Sequence, residues 1–411
     1  MLNPLHYDLS TSPQSCFLAY DPEPQPPHVA SPVSFCLHMD PRGRNEVQSE
    51  KTGLESGARR FSGVLPKENR LRQLAGSSYE SSVALVRIAI ALQTLIDEGA
   101  SARFLGRYQR ALAAFRNELN TKNNQLIPGT VLAGIQLCTV EILLGSKWTS
   151  NFDGISRLVA SSSSEFLRSI PLSASIPIVE TLSLFDLPVF VLGRTTPPRQ
   201  IWSRYRSGKL IAKAAQHESD SIEGVSGLPK TLIDLLAEEN SLESAEKLWH
   251  WTGYAGSPLQ CQLWEAYRFA GILDIRKRSL GRFSATSSAL DNISNFEHMI
   301  VARAISALYA IYTGLFDGPQ TTEEWFVAYA VNYPLFIVAS VVLGSKDGKY
   351  GTNGEVILND WFGRLRSLHR SANLAHIEEI ARIMGETRRN GLKIDTPDQI
   401  AYAKGWEVFL L

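Results

Sequence analysis

Three groups of side chains have the types and spacing for chemistry. His250 stands between Trp249 and Trp251, with Tyr254 close behind. Aromatic rings offer contact area and imidazole a polar tip, so these four could line a ligand pocket; the plainer reading is an aromatic helix edge packed on a core. His369 and His376 lie seven residues apart, a spacing that a helix puts on one face, but no third ligand for a metal is evident near them. Gly344, Gly348, Gly351 and Gly354, with Lys346 and Lys349, make a loop that could hold phosphate. That loop lacks the G-x4-G-K-[ST] order, and Tyr350 stands where a magnesium-binding hydroxyl is needed, which favours an ordinary surface loop. No G-x-S-x-G elbow, H-E-x-x-H helix or paired Cys–His signature is present, so the sequence names no catalytic residue, metal site or cofactor.

Composition narrows the setting. The 411 residues suffice for two or three average domains or for one large helical assembly. Lys plus Arg equals Asp plus Glu at 41 each, which gives no overall electrostatic reason to bind nucleic acid or an anionic membrane. Cys16, Cys36, Cys138 and Cys261 are far apart, as expected of reduced intracellular thiols rather than a disulfide framework. The N-terminus lacks a basic region followed by an apolar core, so no secretory signal is expected. Residues Trp325 to Gly344 carry no charge over a bilayer-spanning length. Asn332, Tyr333 and Pro334 in their middle, with Glu323 and Glu324 ahead of them, instead predict a buried helix pair broken at the proline.

The elements that must position these groups are helical by period. Residues 1–66 hold nine of the 20 prolines and no sustained period, which predicts a disordered arm. From residue 79 the pattern changes. Leu85, Ile88, Ala89, Leu92 and Leu95 follow helical spacing up to a stop at Asp97-Glu98-Gly99. Ser101 can cap a second helix, with Phe104, Tyr108 and Phe115 on one side and Arg103, Arg107, Arg110 and Arg116 as a wet face. The organising stretch is Thr130 to Ala160. Its first half is apolar nearly all round and carries a lone Glu141, so it must be buried. Its second half is amphipathic, with Trp148, Phe152, Ile155, Leu158 and Val159 opposite Asn151, Asp153 and Arg157. Alternating runs are scarce. The expected fold is all-α: a single large multi-helical domain of stacked helical hairpins over residues 79–411, preceded by the disordered arm.

Thr130, Ala133, Leu137, Glu141, Gly145, Trp148, Gly154 and Leu158 resemble, in that order, a signature of the regulatory ("middle homology") domain of fungal binuclear zinc-cluster transcription factors. Further landmarks follow in the order typical of that family: Asp186, Gly193, Arg194 and Pro197; Gly227-Leu228-Pro229; Glu265, Ala266, Tyr267 and Arg268; Pro334, Leu335, Phe336 and Ala339; and Trp406. Two residues depart from the pattern. Pro188 predicts a kink in a helix running to Arg194, and Ser340 stands where glycine is usual. The family's DNA-binding module needs six cysteines around two zinc ions, whereas this chain has four and no C-x2-C pair. The resemblance therefore implies a nuclear regulator of metabolic or secondary-metabolite genes without its own zinc-cluster DNA reader. It also implies homo- or heterodimers with zinc-cluster transcription factors and a small-molecule effector, with direct DNA binding doubtful and no membrane. The alternative, since fold does not fix function, is a helical scaffold recruited as a biosynthetic enzyme or small-molecule-binding protein.

Overall fold

Each of the first helices begins and ends on a local device visible in its residues. In α1 (Val83–Glu98) the Ser82 hydroxyl accepts from Leu85 N, and Gly99, at a positive φ of +70° that favours glycine, ends it. In α2 (Ala102–Thr121) Ser101 caps through Phe104 N at 3.1 Å. Pro128 opens α3 (Pro128–Leu143), which is buried from Gly129 to Ile142. Glu118 of α2 ties the three together, because its carboxylate accepts from Ser82 Oγ, Ala84 N and Thr130 Oγ1. The chain is shown by a computed structural model that describes residues 82–411 apart from 122–125, 162–165, 212–221, 239–241, 281–286, 318–324, 344–350, 369–370, 391 and 393–395. The expected arm at 1–66, the first part of the glycine-rich loop and His369 lie outside the described residues.

The rest of the chain continues in helices: α4 (Thr149–Ser161), α5 (Phe166–Ser169), α6 (Leu172–Asp186), α7 (Ile201–Arg206), α8 (Lys230–Ala237) and α9 (Leu242–His250). Beyond them come α10 (Pro258–Leu280), α11 (Ser287–Phe316), α12 (Trp325–Ala330), α13 (Asn332–Val342), α14 (Gly351–Leu368), α15 (Ala372–Arg389) and α16 (Pro397–Lys404). Neighbours in sequence pack as hairpins, α1 on α2 and α10 on α11, and these stack through α3 and α13. One hydrophobic cluster runs through them all, from Ala84 to Leu410. The fold is all-α, with one small exception among the described residues. Two-residue strands β1 (Val191–Leu192) and β2 (Val408–Phe409) pair antiparallel, Val191 opposite Phe409, and bring the C-terminal residues against the middle of the chain.

Several expectations are corrected in detail. Pro188 does not kink a helix that continues to Arg194: α6 stops at Asp186, and Pro188 opens a short 3-10 turn, Pro188–Phe190, that feeds β1. That helix begins at Leu172 and carries Pro177 inside it. The uncharged stretch from Trp325 is indeed a buried helix pair, broken at Val331 just ahead of the proline, and every residue of α13 from Tyr333 to Val342 is buried. By length and composition alone, Phe296–Phe316 of α11 is the one described helix able to cross a bilayer; it packs against α10, α12, α13 and α14. Pro229 is the residue before α8. Ser340 uses the hydroxyl that a glycine would lack, accepting from Lys277 Nζ at 2.9 Å and donating to Ile337 O.

Glu118 supplies the first test. Replacing it by Ala removes from α2 the acceptor shared by donors at the start of α1 and on α3, and denaturant unfolding is expected to show a loss of about 2 kcal/mol. A loss below about 0.5 kcal/mol, the level of an ordinary surface substitution, would mean that the three helices are not held this way.

Candidate functional site

The polar groups inside this core gather where the C-terminal residues close onto α3, α4 and the loop after β1. Glu407 lies fully buried just before β2. Its carboxylate accepts from Trp148 N and Thr149 N at 2.8 Å each, from the Thr149 hydroxyl at 2.6 Å, and from both N and Oγ1 of Thr195. It thus caps the N-terminus of α4, where exposed N–H groups and the helix dipole favour a negative charge. Burial by itself pushes the Glu407 carboxyl up, but the hydrogen bonds from Thr149 and Thr195 together hold it below the ordinary glutamate value.

Two glycines make this closure possible. Gly145 ends α3 at φ +66°, and a Cβ there would stand 2.5 Å from His376 Cε1. Gly193, at φ +67°, sits so close to the C-terminal segment that a Cβ would lie 2.2 Å from the Trp406 carbonyl oxygen. His376 stacks on Trp406 with ring centres 4.1 Å apart, and its desolvation lowers the imidazole's pKa. Trp148 packs edge-on against Phe152, Phe185 and Phe409. Next to this cluster Arg194 spans Asp186, pairing with its carboxylate at 2.9 Å and its carbonyl at 2.9 Å, while Asp186 also accepts from the backbone N of Arg199 and Ile201. Arg199 in turn pairs with Asp153 of α4. The landmarks Gly145, Trp148, Asp186, Gly193, Arg194 and Trp406 therefore belong to one junction.

Glu141, the lone acid of α3, faces a poorer environment. One oxygen accepts from Asn151 at 2.6 Å and from the Tyr108 hydroxyl at 3.4 Å; the other is buried with no partner. Burial pushes its carboxyl up to about 6, and the bonds from Asn151 and Tyr108 only partly offset that. Tyr108 is pushed well above its ordinary range by the same burial and by the Glu141 charge.

A second buried cluster fixes the Gly227-Leu228-Pro229 turn. Lys230 Nζ lies 2.6 Å from Glu180, the Tyr205 hydroxyl donates to the same oxygen at 3.0 Å, and Glu223 accepts from Val225 N, Ser226 N and the Ser226 hydroxyl. Burial first, then the Glu180 charge, push Glu223 up to about 7. Arg268 of the Glu265–Arg268 segment donates to the carbonyls of Trp249 and Trp251, and Tyr267 donates to Ala330 O.

The four aromatic and imidazole candidates do not converge on one point. Trp249 packs on Phe269 and Phe296, Trp251 lies 6.3 Å from Tyr254 and donates from its indole to Thr231, and His250 is exposed at the end of α9. Sequence reasoning passed over Glu407, Thr195 and the Lys230–Glu180 pair. The readable signal for Glu407 is a single charge inside the closing run Trp406-Glu407-Val408-Phe409-Leu410. Among the described residues no group of three His, Cys, Asp or Glu side chains is placed to hold a metal ion, and Cys138 and Cys261 are free thiols. Compared with protein-family models, with curated proteins and with solved structures, the chain matches none of them.

The two carboxylates give opposite predictions. Glu407→Gln replaces an acceptor oxygen with a donor facing N–H and O–H groups, and is expected to cost about 2 to 4 kcal/mol in denaturant unfolding at pH 7. Glu141 has a folded pKa above its unfolded one, so its ionisation lowers stability as pH rises from about 4.5 through about 6. Glu141→Gln is therefore expected to gain about 1 to 2 kcal/mol relative to the parent chain across that window. Parallel pH profiles for parent and variant would contradict it.

Proposed function

We propose that the chain is a transcription-factor-like regulator of metabolic or secondary-metabolite genes that acts from the nucleus without a zinc-cluster DNA reader of its own. The observation that carries this reading is spatial. Gly145, Trp148, Asp186, Gly193, Arg194 and Trp406 come from segments separated by up to hundreds of residues, and they meet in one junction, three of them buried and three half-buried. Landmarks that agree in order by chance would have no reason to share a location. The junction's carboxylates are consumed by capping N–H groups, hydroxyls and a guanidinium, which suits a framework holding a regulatory domain in shape. Recognition of a promoter then has to come from a zinc-cluster partner, bound as a heterodimer through helix faces.

The test is made in the source organism. Deletion is expected to change transcript levels of a coherent gene set, and a tagged chain is expected to be enriched in nuclei and to co-purify with a zinc-cluster protein. Unchanged transcripts without nuclear enrichment would remove the proposal; altered metabolites with unchanged transcripts would favour the enzyme or binding-protein alternative.

A further inference from the structure

The longest described helix, α11, is buried on one side only. Ile300, Ala304, Leu308 and Ile311 face the core and are fully buried. On the opposite side Ala302, Ser306 and Tyr309 are exposed, and Met299, Ala310 and Thr313 are half-buried. These six share one face, because steps of three and four residues return to the same side of a helix. Only 39 % of the most apolar window of Phe296–Phe316 is buried, whereas the apolar α13 is buried at every position from Tyr333 to Val342. Among the described residues, then, α11 is an apolar helix whose outer side is left open.

The composition of that side lets it lose water without stranding polar groups. Ser306 Oγ already donates to Ala302 O at 2.9 Å and Thr313 Oγ1 to Tyr309 O at 3.1 Å, so covering the face leaves neither hydroxyl unmet. Between Met299 and Thr313 the only charged side chain is Arg303. It stands at the edge of the face, exposed, with its guanidinium 5.8 Å from the Phe269 ring.

We propose that this face pairs two copies of the chain, α11 against α11 in antiparallel orientation about a two-fold axis at Ser306. Residues equidistant from Ser306 then face one another across the axis: Ala302 meets Ala310 of the other copy, Met299 meets Thr313, and Arg303 meets Tyr309. Ala302, Ser306 and Ala310 keep the centre shallow, so the helix axes can approach to about 8 Å. At the rim each guanidinium reaches the electron-rich ring of the opposite Tyr309, which matches the one charge of the face to an aromatic partner. A second copy has this complementarity by symmetry, whereas another protein needs a surface evolved for it. A lipid surface fits less well, since it selects large apolar residues flanked by several basic ones. The paired segment spans roughly 20 Å of helix. That is less than a standard interface of about 1,600 Å² provides, so dissociation in the micromolar range is expected. The proposal goes beyond the regulatory reading and does not rest on it, and it leaves other helix faces to a zinc-cluster partner.

The experiment is sedimentation velocity of the full purified chain across a micromolar concentration series. A reversible monomer–dimer equilibrium is expected. Ser306→Arg brings two like charges together at the axis and is expected to raise the dissociation constant at least about tenfold, with an unchanged unfolding midpoint because the position is exposed. Ser306→Cys is expected to cross-link to its own copy with a short bis-maleimide reagent beyond the level of the parent chain. Tyr402→Cys, 71 % exposed but away from α11, is expected not to. A strict monomer would overturn the proposal, whether the face is then wet, covered by residues outside the described set or reserved for another protein. So would a dimer indifferent to Ser306→Arg, or one in which Ser306→Cys does not cross-link. Transcript changes on deletion with a monomeric chain would leave the regulatory reading standing and remove this one.

Discussion

A buried carboxylate is an unfavourable thing to build into an apolar core unless its lone pairs are filled, and Glu407 fills its own from segments distant in the chain. Trp148 and Thr149 stand at the start of α4, Thr195 follows β1, and the acid itself lies at the C-terminal end. Removing any one of these segments leaves a charge without enough donors, and the desolvation cost is then uncompensated. Mutual dependence of this kind makes the closure cooperative. The two-strand pairing, the stacking of His376 on Trp406 and the approach of Gly193 to the Trp406 carbonyl all require the C-terminal residues to lie where Glu407 places them.

Glu141 shows what the same burial does when satisfaction is incomplete. It sits on a helix buried nearly all round, has one oxygen without a partner, and carries a raised pKa where Glu407 carries a lowered one. The contrast arises from donor supply. Glu407 meets the free N–H groups at the start of a helix, whereas Glu141 lies inside α3, whose N–H groups are already spent on its own turns. The helix N-terminus, more than the carboxylate, decides which acid is a fastening and which is a liability.

The same distinction separates what the sequence made legible from what it did not. Ser101 as a cap, Gly99 as a stop, Pro128 as an opening and the all-round burial of α3 follow from residues within one or two turns of each other, where local rules act. Trp148 lies 259 positions from Glu407, Arg199 46 from Asp153 and Lys277 63 from Ser340, and no period records such a pairing. Pro188 illustrates a local signal with two outcomes. A proline can bend a helix or end it, and the apolar residues beyond it, Val189 to Leu192, suit a buried strand as well as a buried helix. The aromatic run from Trp249 to Tyr254 was legible as surface area but not as geometry, because its rings divide between two separate stacks.

Helix α4 joins two places in the fold. Its N-terminus rests on Glu407, its Asp153 pairs with Arg199 ahead of α7, and one turn further along Ser156 and Val159 form a wall of an aliphatic cleft. The cleft exists only while α4, α6 and α7 hold their mutual positions, and those positions depend on Asp153, Asp186 and their arginines.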